Sequence, residues 1–406
     1  MWGSDTFPSM NDDWRDVALG EFVALQRGHD LPEARRRVGD VPVLGSFGIT
    51  GLHDQARAQG PGVTIGRSGA SLGAVSYSSM DYWPLNTVLY VKDFHGNDPR
   101  FAYFLLRTID FRRFNSGSAQ PSLNRNHIHP MRIRIPPVAE QRRISTLLGA
   151  FDDKIEVNRR ISETLDEIAR TLFTSWFVDF DPVRGTTAVP GDIRRLYPDR
   201  LVDSKIGPVP GGWEVEHLST ELTVSREMLD PRGNPDELFD HFSLPAYDAG
   251  RIPTSERGAA IKSTKLRVLD GCVLLSKLNP RIPRVWWPSA AGESRKIAST
   301  EFVVALPCDG ITRSFLFSLF TSAPFRKTLT SLVRGTSGSH QRVGVTDLLG
   351  IEVVVPPREL VERFDAIVAP MFDQQEALTA ESKTLADLRD TLLPKLISGE
   401  IRLNRA

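Results

Sequence analysis

The chain is short of cysteine, has no long apolar run and carries no net charge, and each shortage excludes a class of protein. Two cysteines in 406 residues, Cys272 and Cys308, cannot build a disulfide scaffold, and they lack the CxxC spacing of a zinc site. No stretch approaches the ~20 apolar residues that span a bilayer. The opening residues Met1-Trp-Gly-Ser-Asp5 show neither the basic nor the apolar segment of a signal peptide. A cytoplasmic protein is expected. Fifty basic residues balance fifty acidic ones, which excludes a histone-like polycation but leaves room for a local basic face. With 25% charged and 40% hydrophobic residues, the composition is that of a folded chain and not a disordered or fibrous one. Its length exceeds one compact core, so two or three domains are expected.

The chain repeats itself. Trp14-Arg-Asp-Val-Ala-Leu19 returns as Trp213-Glu-Val-Glu-His-Leu218. Ile133-Arg-Ile-Pro136-Pro137 aligns with Val353-Val-Val-Pro356-Pro357 at a shift of 220 (356 − 136). Each apolar run favours a strand, and each Pro-Pro ends it, because proline cannot donate to a sheet ladder. From Ala139 to about Phe177 there is no proline and one glycine, Gly149. The stretch predicts a helix on the order of 58 Å long. Ile144, Phe151, Leu165 and Leu172 share one heptad position; Leu148, Ile155, Ala169 and Trp176 share the second, and Asn158 and Ser162 interrupt the seam. Shifted by 220, the pattern becomes Phe364, Met371, Leu378, Leu385 and Leu392. Two long helices in one heptad phase predict an antiparallel coiled-coil pair.

The expected order is a first globular domain over residues 1–137 and a long helix over 138–181. A Pro- and Gly-rich linker follows over 182–212, then a second domain over 213–357 and a second long helix over 358–406. Short β-rich runs (Thr87–Val91, Cys272–Leu275, Glu301–Leu306) alternate with helical stretches (Pro99–Phe114, Thr312–Leu332). The fold class is α+β: two globular domains separated by the helix pair, in a pseudo-two-fold internal repeat.

No catalytic motif emerges. Asp179-Phe-Asp-Pro-Val183 lacks the second proline of a methyltransferase loop, and Gly66-Arg-Ser-Gly69 has no Gly-Lys-Ser/Thr ending. Glu293-Ser-Arg-Lys296 has one residue too many for a nuclease Glu-x-Lys. His127 and His129 have no acidic or cysteine partner nearby and read as groove residues, so no metal site is expected. Charge distribution is more informative. Residues 100–134 hold seven arginines (100, 107, 112, 113, 125, 132 and 134) against Asp110, and residues 251–296 hold ten Lys or Arg against three acids. Two basic regions in matching halves of a repeat point to nucleic acid. Small polar loops accompany both: Asn115-Ser-Gly-Ser-Ala-Gln120 and Gly335-Thr-Ser-Gly-Ser-His-Gln341. The candidate DNA-binding residues are Arg67, Ser68, Ser116, Ser118, Gln120, Asn124 and Arg125 in the first half. In the second half they are Lys277, Asn279, Arg281, Thr336, Ser337, Ser339, His340 and Gln341.

With these residues in view, the chain resembles the specificity subunits of type I restriction–modification systems over nearly its whole length. The resemblance is carried by Ile135-Pro-Pro-Val-Ala-Glu-Gln-Arg-Arg-Ile144, by Gly207-Pro-Val-Pro-Gly-Gly-Trp213 and by Leu392-Leu-Pro-Lys-Leu-Ile-Ser-Gly-Glu-Ile-Arg-Leu403. The second half departs where Pro357-Arg-Glu-Leu360 lacks the Glu140-Gln141 pair. The resemblance implies two target-recognition domains that each read half of a bipartite duplex site. It implies no catalysis and no cofactor in this chain. Two methyltransferase subunits would carry S-adenosylmethionine, and up to two restriction subunits would use ATP and Mg. Two alternatives stay open: a type II system whose partner fuses methyltransferase and nuclease, and a coiled-coil scaffold that binds protein. A side chain that reads a base edge contributes roughly 1–3 kcal/mol of discrimination. Gln120→Ala and Gln341→Ala are therefore each expected to relax one base pair of the recognised motif, as genome-wide methylation profiling would show.

Overall fold

The computed structural model describes residues 13–115, 122–187, 189–289, 292, 294–333 and 341–403. It is mixed α and β, and it divides into two units: residues 1–155 with 383–406, and residues 156–382. Each unit contains the same arrangement of elements, built from different side chains.

In the first unit, strand Arg15–Ala18 pairs antiparallel with Arg132–Ile135. Strands Ala24–Arg27, Val88–Asp93, Gly62–Gly66 and Val75–Ser78 lie in that order in a four-stranded antiparallel sheet. Helix Pro99–Arg107, capped by the Asp98 carboxylate accepting from the Phe101 N–H, buries Phe101, Phe104 and Leu105. The second unit repeats this. Strand Glu214–His217 pairs with Glu352–Val355. Strands Leu222–Ser225, Phe302–Pro307, Val273–Ser276 and Val285–Trp286 form the four-stranded sheet, and Thr312 caps helix Arg313–Thr321. The units differ in what is added. The first has a three-stranded sheet built on Val41–Gly45; the second has a five-stranded sheet centred on Arg295–Ala298.

Two expected helices are broken. Pro99–Phe114 stops at Arg107 and resumes as a tight turn at Phe111–Phe114, because the Asp110 carboxylate caps the Arg112 N–H. Thr312–Leu332 divides at Ser322, whose hydroxyl caps the next helix, while Pro324 lacks the N–H needed to continue the first. The expected linker 182–212 is folded and not extended. It holds the hairpin Leu201–Ser204/Gly207–Pro210, and Ile193 and Tyr197 are buried with Trp213 in the second unit's core.

Both long helices are continuous, Val138–Phe177 and Arg358–Ser398. Each begins at a Pro-Pro. The Pro137 carbonyl accepts from the N–H groups of Glu140 and Gln141, and the Pro357 carbonyl accepts from those of Leu360 and Val361. A Cβ at Gly149 would stand 2.5 Å from the Arg100 guanidinium and would displace it. None of the proposed seam residues is exposed. In the first unit, Ile144 and Leu148 share a core with Leu393, Leu396 and Ile397, with Phe151 and Leu392 at its margin. Arg389 is paired there with Asp152 at 2.5 Å. In the second unit, Phe173, Trp176 and Phe177 surround Phe364 at ring distances of 5.3–6.1 Å. Met371 and Leu172 pack at that core's edge, Leu378 is buried, and Ile155, Leu165 and Leu385 are half-buried. The polar interruption is also paired: Asn158 donates to Glu381 at 2.7 Å, and Gln375 donates to the Ser162 carbonyl.

One buried node separates the halves. Gln141, fully buried, donates to Asn97 Oδ1 and to the Pro136 carbonyl and accepts from the Asp98 N–H. At the matching positions the second unit has Val361 and Ile311, both buried in apolar core. Gln141→Val alone is expected to cost about 1–3 kcal/mol, since it strands buried polar groups. Adding Asn97→Ile should recover only part of that, because the Phe22 carbonyl still loses its Asn97 donor. Chemical denaturation of the two variants checks the order.

Candidate nucleic-acid interface

The same backbone frame occurs in each unit just past the inner strand Gly62–Gly66 or Val273–Ser276 of the four-stranded sheet. In the first, the Arg67 N–H donates to the Thr87 carbonyl, and the Leu123 N–H donates to the Arg67 carbonyl at 2.7 Å. Ser68 bridges to Ser122. In the second, the Lys277 N–H donates to the Glu301 carbonyl, the Val343 N–H to the Lys277 carbonyl, and Leu278 bridges to Arg342. Both turns then need a left-handed residue. Gly69 (φ 68°) supplies it in one and Asn279 (φ 54°) in the other, two residue types that tolerate that conformation.

The first frame opens onto a cleft of about 800 Å³ lined by Gln26, Arg27, His29, Asp30, Arg67, Ser122, Asn124, Arg125 and Asn126. Among the described residues, Arg67 and Arg125 have carbonyl partners, those of Asn86 and Leu25, and no carboxylate. Three guanidiniums therefore face one acid, Asp30, which accepts a hydrogen bond from the Asn86 side chain. Asn124 caps the turn Arg125–Ile128 and fixes where Arg125 and Asn126 stand. Behind them, His129 Nε2 accepts from the Leu25 N–H. Burial, with the Arg125 charge beside it, holds this imidazole below its ordinary value, so it stays neutral near pH 7 and acts as an acceptor.

The second frame contains an ion pair. Lys277 is half-buried, and its ammonium is lowered by desolvation. Glu301 lies beside it and also takes two hydrogen bonds from Arg342, at 2.8 and 2.9 Å. Arg281 is exposed. The Asn279 N–H donates to the Gln341 carbonyl, and Gln341 Oε1 is buried with no hydrogen-bond partner among the described residues.

Of the sequence-derived candidates, Arg67, Ser68, Asn124 and Arg125 come together in the first unit, and Lys277, Asn279 and Gln341 in the second. Arg281 lies two residues past Asn279, so Lys277, and not Arg281, is the counterpart of Arg67. Ser116, Ser118, Gln120, Thr336, Ser337, Ser339 and His340 fall outside the described residues. Sequence reasoning missed Arg27, His29, Asn126, Glu301 and Arg342, which lie far from the turns in sequence and reach them only through the fold. It also overcounted the basic clusters. Arg100 is tied to Asp153, Arg107 to Asp390, Arg284 to Asp248 and Arg295 to Glu237, acids remote in sequence that a window count leaves out. Among the described residues no cluster of His, Cys, Asp or Glu could hold a metal ion, and no helix is long and apolar enough to cross a membrane.

Residues 11–167 match the family described as the type I restriction modification DNA specificity domain. The chain is similar to the MjaIX type I restriction enzyme specificity subunit of Methanocaldococcus jannaschii, 26% identical over 75% of this chain and 69% of the relative. It is also similar to the HindI specificity subunit of Haemophilus influenzae, 24% identical over 80% and 82%. Among solved structures, the type I restriction–modification S subunit from M. genitalium superposes with a TM-score of 0.61 at 15% identity, covering 99% of both chains. At that identity the likeness establishes the fold alone.

A guanidinium that meets phosphate lowers affinity for all sequences alike when removed. Arg67→Ala and Arg281→Ala are each expected to weaken duplex binding and reduce the slope of log K against log salt by about 0.9. A salt titration of duplex binding checks both.

Proposed function

We propose that this chain, a relative of the type I restriction–modification specificity subunits, is the sequence-reading subunit of such a complex and performs no chemistry itself. Each unit supplies one recognition domain for half of a bipartite duplex site. The observation that carries the reading is the frame built twice: a positively charged turn whose N–H donates to the carbonyl before a neighbouring strand and whose carbonyl accepts from the chain that returns toward the long helix. Arginine and lysine at such a turn supply sequence-independent affinity, while neighbouring amides and a few side chains meet base edges.

The long helices fit an antiparallel two-helix coiled coil that holds the recognition domains apart, with its length setting the unread spacer. Pairing in opposite chain order supports this, Asn158 with Ser382 and Ser162 with Gln375. The duplex backbone is itself two-fold, so two domains related in that way meet it equivalently. Two methyltransferase subunits would dock on this chain and bring S-adenosylmethionine. Up to two restriction subunits would add ATP- and Mg-dependent cleavage.

Replacing residues 213–355 with the equivalent domain of a relative is expected to change one half of the methylated motif and leave the other half and the spacer intact. Loss of both halves in a well-folded chimera would overturn independent reading. A gel shift with pooled random duplexes, with and without the methyltransferase subunit, tests the reading at its root. A protein-binding scaffold would shift none.

A further inference from the structure

The pair Arg342–Glu301 has no counterpart in the first unit. Glu301 occupies the position of Thr87, whose carbonyl likewise takes the N–H of the turn residue, and Arg342 occupies that of Ser122 in the bridge to the turn. The second unit has therefore added an ion pair at the edge of its candidate face. Its geometry is one-sided. Glu301 takes Nε and Nη2 of Arg342, at 2.9 and 2.8 Å. Among the described residues that leaves the Nη1 hydrogens and the second Nη2 hydrogen as a fork on the half-exposed side chain.

Both partners are fixed by backbone as well. Arg342 is held in its bridge to Leu278. Glu301 receives the Lys277 N–H at its carbonyl, and its own N–H donates to Ser299 Oγ. The Arg342 side chain is half-exposed while Glu301 is mostly covered, so the carboxylate lies behind and the guanidinium in front. An exposed ion pair alone stabilises a fold by little, which makes stability a poor reason for this arrangement. A pre-oriented planar fork suits a pair of acceptors at fixed spacing, and the major-groove edge of guanine, O6 and N7, is such a pair. Ordering the side chain before binding removes an entropic cost of recognition.

Resting on the reading of the second unit as a recognition domain, we propose that Arg342 is a specificity-determining residue that contacts a guanine edge in the half-site read by that unit, with Glu301 as its positioning residue. The Arg342 charge keeps the Glu301 carboxyl below the usual carboxylate range, so the buttress is ionised at neutral pH.

The test is methylation profiling of the assembled complex, wild type against Arg342→Gln, Arg342→Lys and Glu301→Gln, with a thermal melt of each. Arg342→Gln is expected to relax one G·C pair of a single half-site by roughly tenfold to a hundredfold. Glu301→Gln should relax the same pair by less. Arg342→Lys should keep most affinity with weaker discrimination, since an ammonium lacks the rigid planar fork that Glu301 orients. Should Arg342→Gln fail to fold, the other two variants decide. A uniform loss across sequences with an unchanged motif would make Arg342 a phosphate contact and overturn the proposal. Changed melting alone, or a half-site without a G·C pair, would overturn it too. A wild-type complex that methylates no bipartite motif would instead sink the recognition reading beneath it.

Discussion

A two-residue constraint organises each half of this protein: a strand that must end at Pro-Pro and pass at once into a long helix. Proline cannot donate to the ladder, so the pairing of Arg132–Ile135 with Arg15–Ala18 stops where Pro136 begins, and Glu352–Val355 stops before Pro356 in the same way. The carbonyl of the second proline then takes the first helical N–H groups. Strand and helix are joined without slack. Any shift in the ladder would move the buried helix stripe by a residue and turn Ile144 or Phe364 toward water. The conserved geometry of this joint explains how two halves with few identical residues keep one architecture.

What surrounds the joint is free to change chemistry so long as it changes as a set. Gln141 and Asn97 satisfy one another and the neighbouring backbone, while Val361 and Ile311 bury only carbon. Each solution is complete, and a hybrid would leave a donor or acceptor stranded in a dry interior. This is the physical reason that the missing Glu-Gln pair after Pro357 does not disturb the second half. The loss of glutamine is matched, 50 residues upstream of Val361, by the isoleucine.

Much of this architecture was legible before any coordinates. Periodicity over four heptads marks both long helices, which start where expected, at Val138 and Arg358, and end earlier, at Phe177 and Ser398. The Trp and Pro-Pro repeats mark the two halves. Periodicity reports burial along one element, and here it was strong. It is silent on partners remote in sequence. That is why the arginines of 100–134 looked like a cationic patch when Arg100 and Arg107 were already paired with Asp153 and Asp390. Proline and glycine content points to a linker over 182–212, but Ile193 and Tyr197 are buried in core. The turns at Arg67 and Lys277 were found, though not their register, because one uses glycine and the other asparagine for the same positive φ.

The shared frame and the divergent side chains together separate two tasks that a sequence-specific DNA reader has to perform. The frame is made of main-chain hydrogen bonds, which hold a turn at fixed distance from the returning chain whatever the residue type. Side chains on it are therefore exchangeable without refolding. Around the first turn, among the described residues, stand guanidiniums bonded to carbonyls and to no carboxylate; around the second, a lysine lies beside a carboxylate that an arginine binds. Free cations favour phosphate, which every sequence offers, whereas a cation held by an acid has much of its charge cancelled and retains mainly its direction. Direction is what distinguishes one base edge from another. On the proposed reading, the two halves would place affinity and discrimination differently on one scaffold, the first weighted toward free cations and the second toward orientation.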